Sequence, residues 1–295
     1  MEDKLITTSP LRIIGILLLG ISLNVQASQI KHIVFFGDSL TSNNNLHPIL
    51  TYLLNVPKSF TNGDCWSKTL AASFDKKQID SRIYALPGGT ARFQTDDFIT
   101  SPAFLTAEIL KYSLDSSQRE RAESLVIIWI GFNDYVLQHP NITLNNYKAF
   151  AAKTVHGISQ AVTDLIHQGC KHFLIINLGE IATTPYFLSL NKKQEMTDLI
   201  TEHNHLLTQE AHDIYKKHSV DIHIYDVNDF FETIKKNKPS YHLTTTTKAC
   251  KTRDHVCTNP ENYFYWDHLH FTKKIHNALA KSVRAFIHQT WPEMT

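Results

Sequence analysis

The sequence predicts an α/β protein, a three-layer α/β/α sandwich built on a central, mostly parallel sheet of five strands. Two observations predict it. Short apolar runs rich in Val, Ile and Phe recur along the chain, each ending in a turn-forming cluster. Between them lie longer segments with apolar residues at helical spacing, and strands that alternate with helices favour parallel pairing through right-handed crossovers. No linker, repeat or low-complexity tract interrupts this pattern, so most of the 295 residues read as one domain.

The elements follow in order. Ile33 to Phe36 is an unbroken apolar run, as a strand buried on both faces requires, and Gly37-Asp38-Ser39 is the turn that leaves it. Trp66 to Phe74 reads as a short helix after a Gly-Asp turn. "SRIYALPGG" is a second strand ending at Pro87, Gly88 and Gly89, and a helix is expected from about Ala103. Leu125 to Ile130 is a third strand, again followed by a glycine. "NNYKAFAAKTVHGISQAVTDLIHQG" is a long helix with Val155, Ile158, Val162, Leu165 and Ile166 as its stripe and Gly169 as its stop. "KHFLIINLGE" is a fourth strand, Met196 to Tyr215 a helix, and "DIHIYDV" a fifth strand. "TKKIHNALAKSVRAFIHQ" closes the chain with Ile275, Leu279, Val283 and Phe286 on one face. Long crossovers around residues 41–78 and 231–266 are expected over the C-terminal edge of the sheet.

The N-terminus differs from the rest. Ile13 to Leu23 is apolar but for two glycines and Ser22, Lys4 and Arg12 precede or open it, and Val25-Gln26-Ala27 is a small-x-Ala site. Residues 1–27 therefore read as a secretory signal peptide, leaving 28–295 as the mature domain and a secreted or periplasmic protein. The run is short for a membrane span; an uncleaved anchor is the alternative. Formal net charge is +1, from 29 basic and 28 acidic residues, with no long basic block, which argues against nucleic acid as a partner. Export would place the four cysteines in an oxidising compartment. Cys250 and Cys257 flank a short loop suited to a disulfide; Cys65 and Cys170 either pair or stay free. The chain has no paired C-x-x-C, H-E-x-x-H, G-x-G-x-x-G or P-loop, and no metal or cofactor is expected.

Ligands of open α/β sheets bind beyond the C-terminal ends of the strands. Three such ends carry chemistry here: Gly37-Asp38-Ser39, Gly88-Gly89 and Gly131-Phe132-Asn133-Asp134. A serine hydrolase needs a nucleophile, donors for an oxyanion and a general base. Ser39 supplies the first. The backbone N–H of Ser39, the N–H of Gly88 and the side-chain amide of Asn133 supply three donors, with glycine at 88 letting the backbone approach the substrate. "YFYWDHLHFT" offers Asp267 and His270, three residues apart before the last helix, as carboxylate and base. His268 is a rival base in the same turn, and Asp267 has a competing role as a helix cap. Asp38 reads as a turn stabiliser and Asp134 as a partner of loop backbone. Glu180 and Asp226 share the same edge without a partner by spacing. There is no G-x-S-x-G elbow, which disfavours the α/β-hydrolase fold.

The set Gly37-Asp38-Ser39-Leu40, Gly88, Gly131-x-Asn133-Asp134 and Asp267-x-x-His270 resembles the GDSL family of SGNH hydrolases, with all four family blocks in order across nearly the whole mature chain. The resemblance implies the SGNH hydrolase fold, with Ser39 as nucleophile, Ser39, Gly88 and Asn133 as oxyanion hole, and Asp267 and His270 completing a triad. Block two departs from the pattern: in "YALPGGT", Pro87 replaces the usual small residue, so Gly88 is the expected donor and Gly89 the fallback. "WIGFNDY" and "FYWDHLHFT" resemble the secreted bacterial phospholipase branch, which includes lysophospholipase A enzymes and glycerophospholipid:cholesterol acyltransferases. That branch implies a lysophospholipid or phospholipid substrate, cholesterol as a potential acyl acceptor, and peripheral contact with a lipid surface. The Cys250–Cys257 loop looks like the disulfide-bounded loop of the acyltransferases. Trp66, Phe93, Phe98, Phe104, Tyr135, Phe264, Tyr265 and Trp266 either grip an acyl chain or fill the core. A carbohydrate or short-chain acyl esterase of the same fold, and a non-catalytic secreted binding protein, are the competing expectations.

Overall fold

Along the first strand, Ile33 and Phe35 face one way and Val34 and Phe36 the other, and all four are buried. A strand with no polar face must be covered on both sides, and it is. The computed structural model describes residues 29–42, 59–92 and 104–294; residues 1–27, expected to be a signal peptide, and Phe93 and Phe98 lie outside them. The central sheet has five strands, β1 (His32–Gly37), β2 (Asp80–Ile83), β3 (Ser124–Trp129), β4 (His172–Ile176) and β5 (Asp221–Tyr225), in the spatial order β2-β1-β3-β4-β5. Every pairing is parallel, so the sheet is more uniform than the mostly parallel one expected.

The helices among the described residues are α1 (Trp66–Phe74), α2 (Leu105–Asp115), α3 (Gln118–Ala122), α4 (Phe132–Gln138), α5 (Tyr147–His167), α6 (Pro185–Ser189), α7 (Lys193–His218), α8 (Val227–Lys236) and α9 (Lys273–Thr290). The two strand faces define two cores. Ile33, Phe35, Ile127 and Trp129 pack with Leu70 and Phe74 of α1, Phe231 of α8 and Leu279 of α9. Val34, Phe36, Val126 and Ile128 pack with Ile109 of α2, Ile158 of α5 and Ile214 of α7. The result is a three-layer sandwich.

Some elements depart from expectation. β2 ends before Pro87, which has no N–H to donate, yet Tyr84 and Leu86 N–H still bond to the Phe35 and Gly37 carbonyls at 2.8 and 3.1 Å. The later crossover is not a loop. It holds α8 and a small parallel pair, β6 (Thr245–Ala249) and β7 (Tyr263–Tyr265). Cys250 and Cys257 are joined by a disulfide, while Cys65 and Cys170 are buried and free.

In this strand order the chain leaves β1 toward β2 on one side and later enters β3 on the other. The crevice above β1 and β3 is therefore the topological switch point, where open α/β sheets bind ligands. Gly37 and Trp129 are paired across it, which brings the segments after each strand together.

Candidate active site

Gly37 ends β1 at φ 152°. A Cβ there would lie 2.3 Å from the Trp129 carbonyl oxygen, so only glycine lets β1 and β3 stay paired to this point. The chain then turns tightly: Thr41 and Ser42 N–H donate to the Asp38 carbonyl at 3.0 and 2.8 Å, and Leu40 N–H donates to Asp38 Oδ1 at 2.9 Å. The turn presents Ser39, whose Oγ is 2.9 Å from His270 Nε2.

His270 comes from the turn between β7 and α9. Its Nδ1 lies 2.8 and 2.9 Å from Asp267 Oδ1 and Oδ2. With Nδ1–H donated to the carboxylate, Nε2 is the ring nitrogen left to accept the Ser39 proton. Asp267 Oδ1 also accepts the N–H groups of Leu269 and His270 at 2.9 and 2.8 Å. The i, i+3 spacing thus becomes an Asx-type turn that aims the carboxylate and ring at each other. Burial works to raise the Asp267 pKa, but the hydrogen bond and charge of His270 and the two N–H groups outweigh it, and the carboxyl sits below its ordinary value. His268 is exposed; its carbonyl accepts Tyr186 N–H at 3.0 Å. The Phe60 ring covers His270 with centroids 4.8 Å apart.

The unusual proline of the second block has a physical explanation. Leu86, Pro87, Gly88 and Gly89 form a turn closed by Gly89 N–H to Leu86 C=O at 3.0 Å, with Gly88 at φ 77°. Pro second and a positive-φ glycine third is the pattern of a type II turn. Gly89 is required for a different reason: its Cβ would come within 2.9 Å of the Gly37 carbonyl. The third block is tied to this turn. Asn133 Nδ2 donates to the Gly89 carbonyl at 2.9 Å, leaving the second amide hydrogen for another acceptor. Asp134 Oδ2 accepts Ala91 N–H at 2.8 Å, and Arg92 Nε lies 3.4 Å from its other oxygen.

Glu108, on α2, was not among the residues singled out in the sequence. It is 1% exposed, and its two oxygens accept Gly37 N–H at 2.9 Å and Leu86 N–H at 3.1 Å. Its signal was an acid on the apolar stripe Leu105, Glu108, Ile109, Tyr112, all buried. Burial drives Glu108 well above the usual carboxylate range, the backbone N–H groups oppose this, and the charge of Asp38 adds to it. Burial likewise pushes Asp38 up to about 7, against the Leu40 N–H and His270 and with Asp134. Glu180 and Asp226 serve local structure instead, accepting from Ala182 N–H and from Asn177 Nδ2 and Asp229 N–H.

Of the aromatic residues weighed as acyl grips, Trp66, Tyr135, Phe264 and Tyr265 are at most 1% exposed and belong to the core, whereas Phe104 and Trp266 are part-exposed. An apolar cavity of about 20 Å³ does lie under the site, lined by Leu40, Phe132, Leu269 and Phe271 among others. A polar pocket of about 100 Å³ adjoins Ser39, with Ser42, Ser59, Thr61 and Lys68 in its walls. A groove of about 1010 Å³ along α8 and α9 shares no residue with the site. The disulfide loop bears on the triad segment, since Cys250 and Lys251 N–H donate to the Tyr265 and Trp266 carbonyls at 3.1 and 2.6 Å.

Residues 33–283 match the family model described as GDSL-like Lipase/Acylhydrolase. Among curated proteins, a phosphatidylcholine-sterol acyltransferase of Aeromonas hydrophila is 24% identical over 246 residues, 79% of this chain and 70% of that protein. The secreted effector protein SseJ of Salmonella typhimurium is 23% identical over 294 residues, 90% of this chain and 65% of that one. Among solved structures, the acetylxylan esterase Axe2 of Geobacillus stearothermophilus superposes with a TM-score of 0.52 at 15% identity, covering 90% of this chain and 96% of the other. At that identity the likeness is one of fold.

Proposed function

This chain belongs to the GDSL-like lipase and acylhydrolase family and is a hydrolase of the GDSL esterase/lipase type; on that premise we propose that it cleaves fatty-acyl esters of phospholipids, lysophospholipids above all, with Ser39, His270 and Asp267 as its catalytic triad. The observation that carries the chemistry is the unbroken hydrogen-bonded line from Ser39 Oγ through both ring nitrogens of His270 to Asp267. His270 takes the Ser39 proton as Oγ attacks the ester carbonyl. The N–H groups of Ser39 and Gly88 and the free amide hydrogen of Asn133 receive the developing oxyanion, and His270 returns the proton to the leaving alcohol. Water then hydrolyses the acyl-enzyme, or a sterol hydroxyl such as that of cholesterol takes the acyl group. The mature enzyme begins at Ser28 after export, and the Cys250–Cys257 disulfide fits an oxidising compartment.

The lipid assignment is supported by one relative of the sequence, a phosphatidylcholine-sterol acyltransferase, and by the apolar residues Leu40, Phe132 and Leu269 beside the catalytic ones. The hydroxyl-lined pocket next to Ser39 suits a polar leaving alcohol. A lysophospholipid needs little extraction, whereas a diacyl lipid leaves its bilayer at about 0.8 kcal/mol per CH₂ exposed. The small size of the apolar cavity favours a second reading, a short-acyl esterase acting on acetylated carbohydrate. Fatty-acid release is to be measured on lysophosphatidylcholine and on diacyl vesicles with and without cholesterol, and acetate release on acetylated xylo-oligosaccharide. The lipid assignment predicts the highest kcat/KM on the lysolipid; a large preference for the acetyl ester replaces it with the second reading.

A further inference from the structure

We propose that Glu108 is the positioning residue of the oxyanion site, a buried carboxyl group that fixes the Ser39 and Gly88 backbone donors relative to each other. The inference rests on the reading of Ser39 as nucleophile and deepens it.

The two donors belong to different strands. Ser39 follows β1 and Gly88 follows β2, and the ladder between these strands reaches as far as Leu86 N–H on the Gly37 carbonyl, at 3.1 Å. Glu108 spans the same place with both oxygens. Oε2 accepts Gly37 N–H at 2.9 Å and Oε1 accepts Leu86 N–H at 3.1 Å. Gly37 stands two residues before Ser39, and Leu86 two before Gly88. The two oxygens are covalently fixed in one plane, so two backbone segments that carry oxyanion donors are referred to one rigid group. That group is itself immobilised, because Leu105, Ile109 and Tyr112 on the same stripe of α2 are buried in the core. Contact is close on a third side as well. A Cβ on Gly89 would lie 3.3 Å from Glu108 Oε1, and Gly89 carries the carbonyl that holds Asn133. All three donors are thus within one or two hydrogen bonds of Glu108.

A buried acid at a stripe position is otherwise a poor choice, since a hydrophobic residue of similar volume avoids its desolvation. What a hydrophobic residue cannot do is accept from Gly37 N–H. Leu86 N–H has a second acceptor in Gly37 C=O, so glutamine, with its amide oxygen turned to Gly37, keeps that bond but sets its NH₂ toward Leu86 N–H and restores only part of the bridge. Oxyanion stabilisation depends on donors placed for the transition state and not for the ground state. Misplacing them lowers kcat and leaves substrate binding intact.

The experiment compares the full-length wild type with Glu108→Leu, Glu108→Ala and Glu108→Gln. It measures kcat and KM on a soluble lysolipid, inhibition by an alkyl boronic acid that forms an anionic tetrahedral adduct on serine, and binding of a non-cleavable ether lysolipid. Leu and Ala are expected to lower kcat about a hundredfold, with KM and ether binding within about twofold and boronate affinity falling in parallel. Gln is expected to recover part of the loss, falling between the wild type and Leu. Should Ala fail to fold, the Leu–Gln pair decides, since Leu fills the volume and lacks only the acceptor. A folded Leu or Ala variant with wild-type kcat, a parallel loss of ether binding, or a Gln variant no better than Leu overturns the proposal. The nucleophile is checked separately by fluorophosphonate labelling: an unlabelled Ser39 in the wild type overturns both readings, and a labelled Ser39 with any of those outcomes overturns this one alone.

Discussion

Asp267 and Glu108 are two carboxyl groups at the same edge of one sheet, and each accepts backbone N–H groups through its oxygens. Burial acts on both in the same direction. Asp267 nevertheless sits below its ordinary pKa, while Glu108 sits far above it. The difference lies in what else each one faces among the described residues: Asp267 has the imidazole of His270 at 2.8 Å, and Glu108 has backbone N–H groups and the carboxyl of Asp38. A carboxyl facing an imidazole is kept charged and can stabilise an imidazolium as the reaction proceeds. A carboxyl facing peptide groups in the interior is driven toward neutrality and acts through geometry alone. In the roles proposed for them, Asp267 acts through its charge and Glu108 through its placement.

Neutralising each carboxyl without changing its size separates the two roles. Asp267→Asn keeps the turn but offers His270 the wrong hydrogen-bonding pattern, and kcat should fall by roughly a thousandfold or more. Glu108→Gln keeps the volume and one acceptor oxygen of a group that burial already biases toward its neutral form, and should lower kcat by about tenfold or less. Steady-state kinetics on the same soluble ester reads both; equal losses would erase the distinction.

Stability against pH separates the two carboxyl environments on a smaller scale. Asp38 shares the environment of Glu108, with its pKa raised by burial from 3.8 to about 7. The folded state therefore holds a proton that the unfolded chain releases, and this contribution is present at low pH and lost as pH rises from about 4 to 7. Asp267 behaves oppositely, contributing above the ordinary carboxylate value and losing its contribution as pH falls through its depressed one. Thermal unfolding of Asp38→Asn, which keeps an oxygen for Leu40 N–H, should show a flatter decline of Tm between about pH 4 and 7 than the wild type. The slope is reduced and not abolished, because Glu108 titrates in the same direction. An unchanged slope would mean that Asp38 is ionised in the fold.

How much of this was legible in the sequence follows from the range of the interactions involved. β3 was expected at Leu125 to Ile130 and runs Ser124–Trp129, because a parallel strand buried on both faces is a continuous apolar run. Ser39, Asp267 and His270 stood out because each sits in a short turn next to a strand or helix. Pro87 looked like a defect and proved to be a turn residue, a matter of local φ that the Pro-Gly pair already encoded. Glu108 was missed because its partners are 71 and 22 residues away. β6 was missed because "TTTKA" is part-exposed and polar, and only its pairing with Tyr263–Tyr265 makes it a strand. Trp66 and Tyr135 were open between core and acyl grip, since an aromatic side chain alone does not show which face of its element it occupies.

The role proposed for Ser39 is that of the nucleophile, activated through His270 and Asp267. Its most direct measurement is intact-protein and peptide mass spectrometry after reaction with a long-chain alkyl fluorophosphonate, on the wild type and on Ser39→Ala. One adduct is expected, on Ser39, formed in step with loss of ester hydrolysis, and neither adduct nor hydrolysis in a folded Ser39→Ala protein. An adduct on another residue, or near-normal hydrolysis by Ser39→Ala, would contradict it.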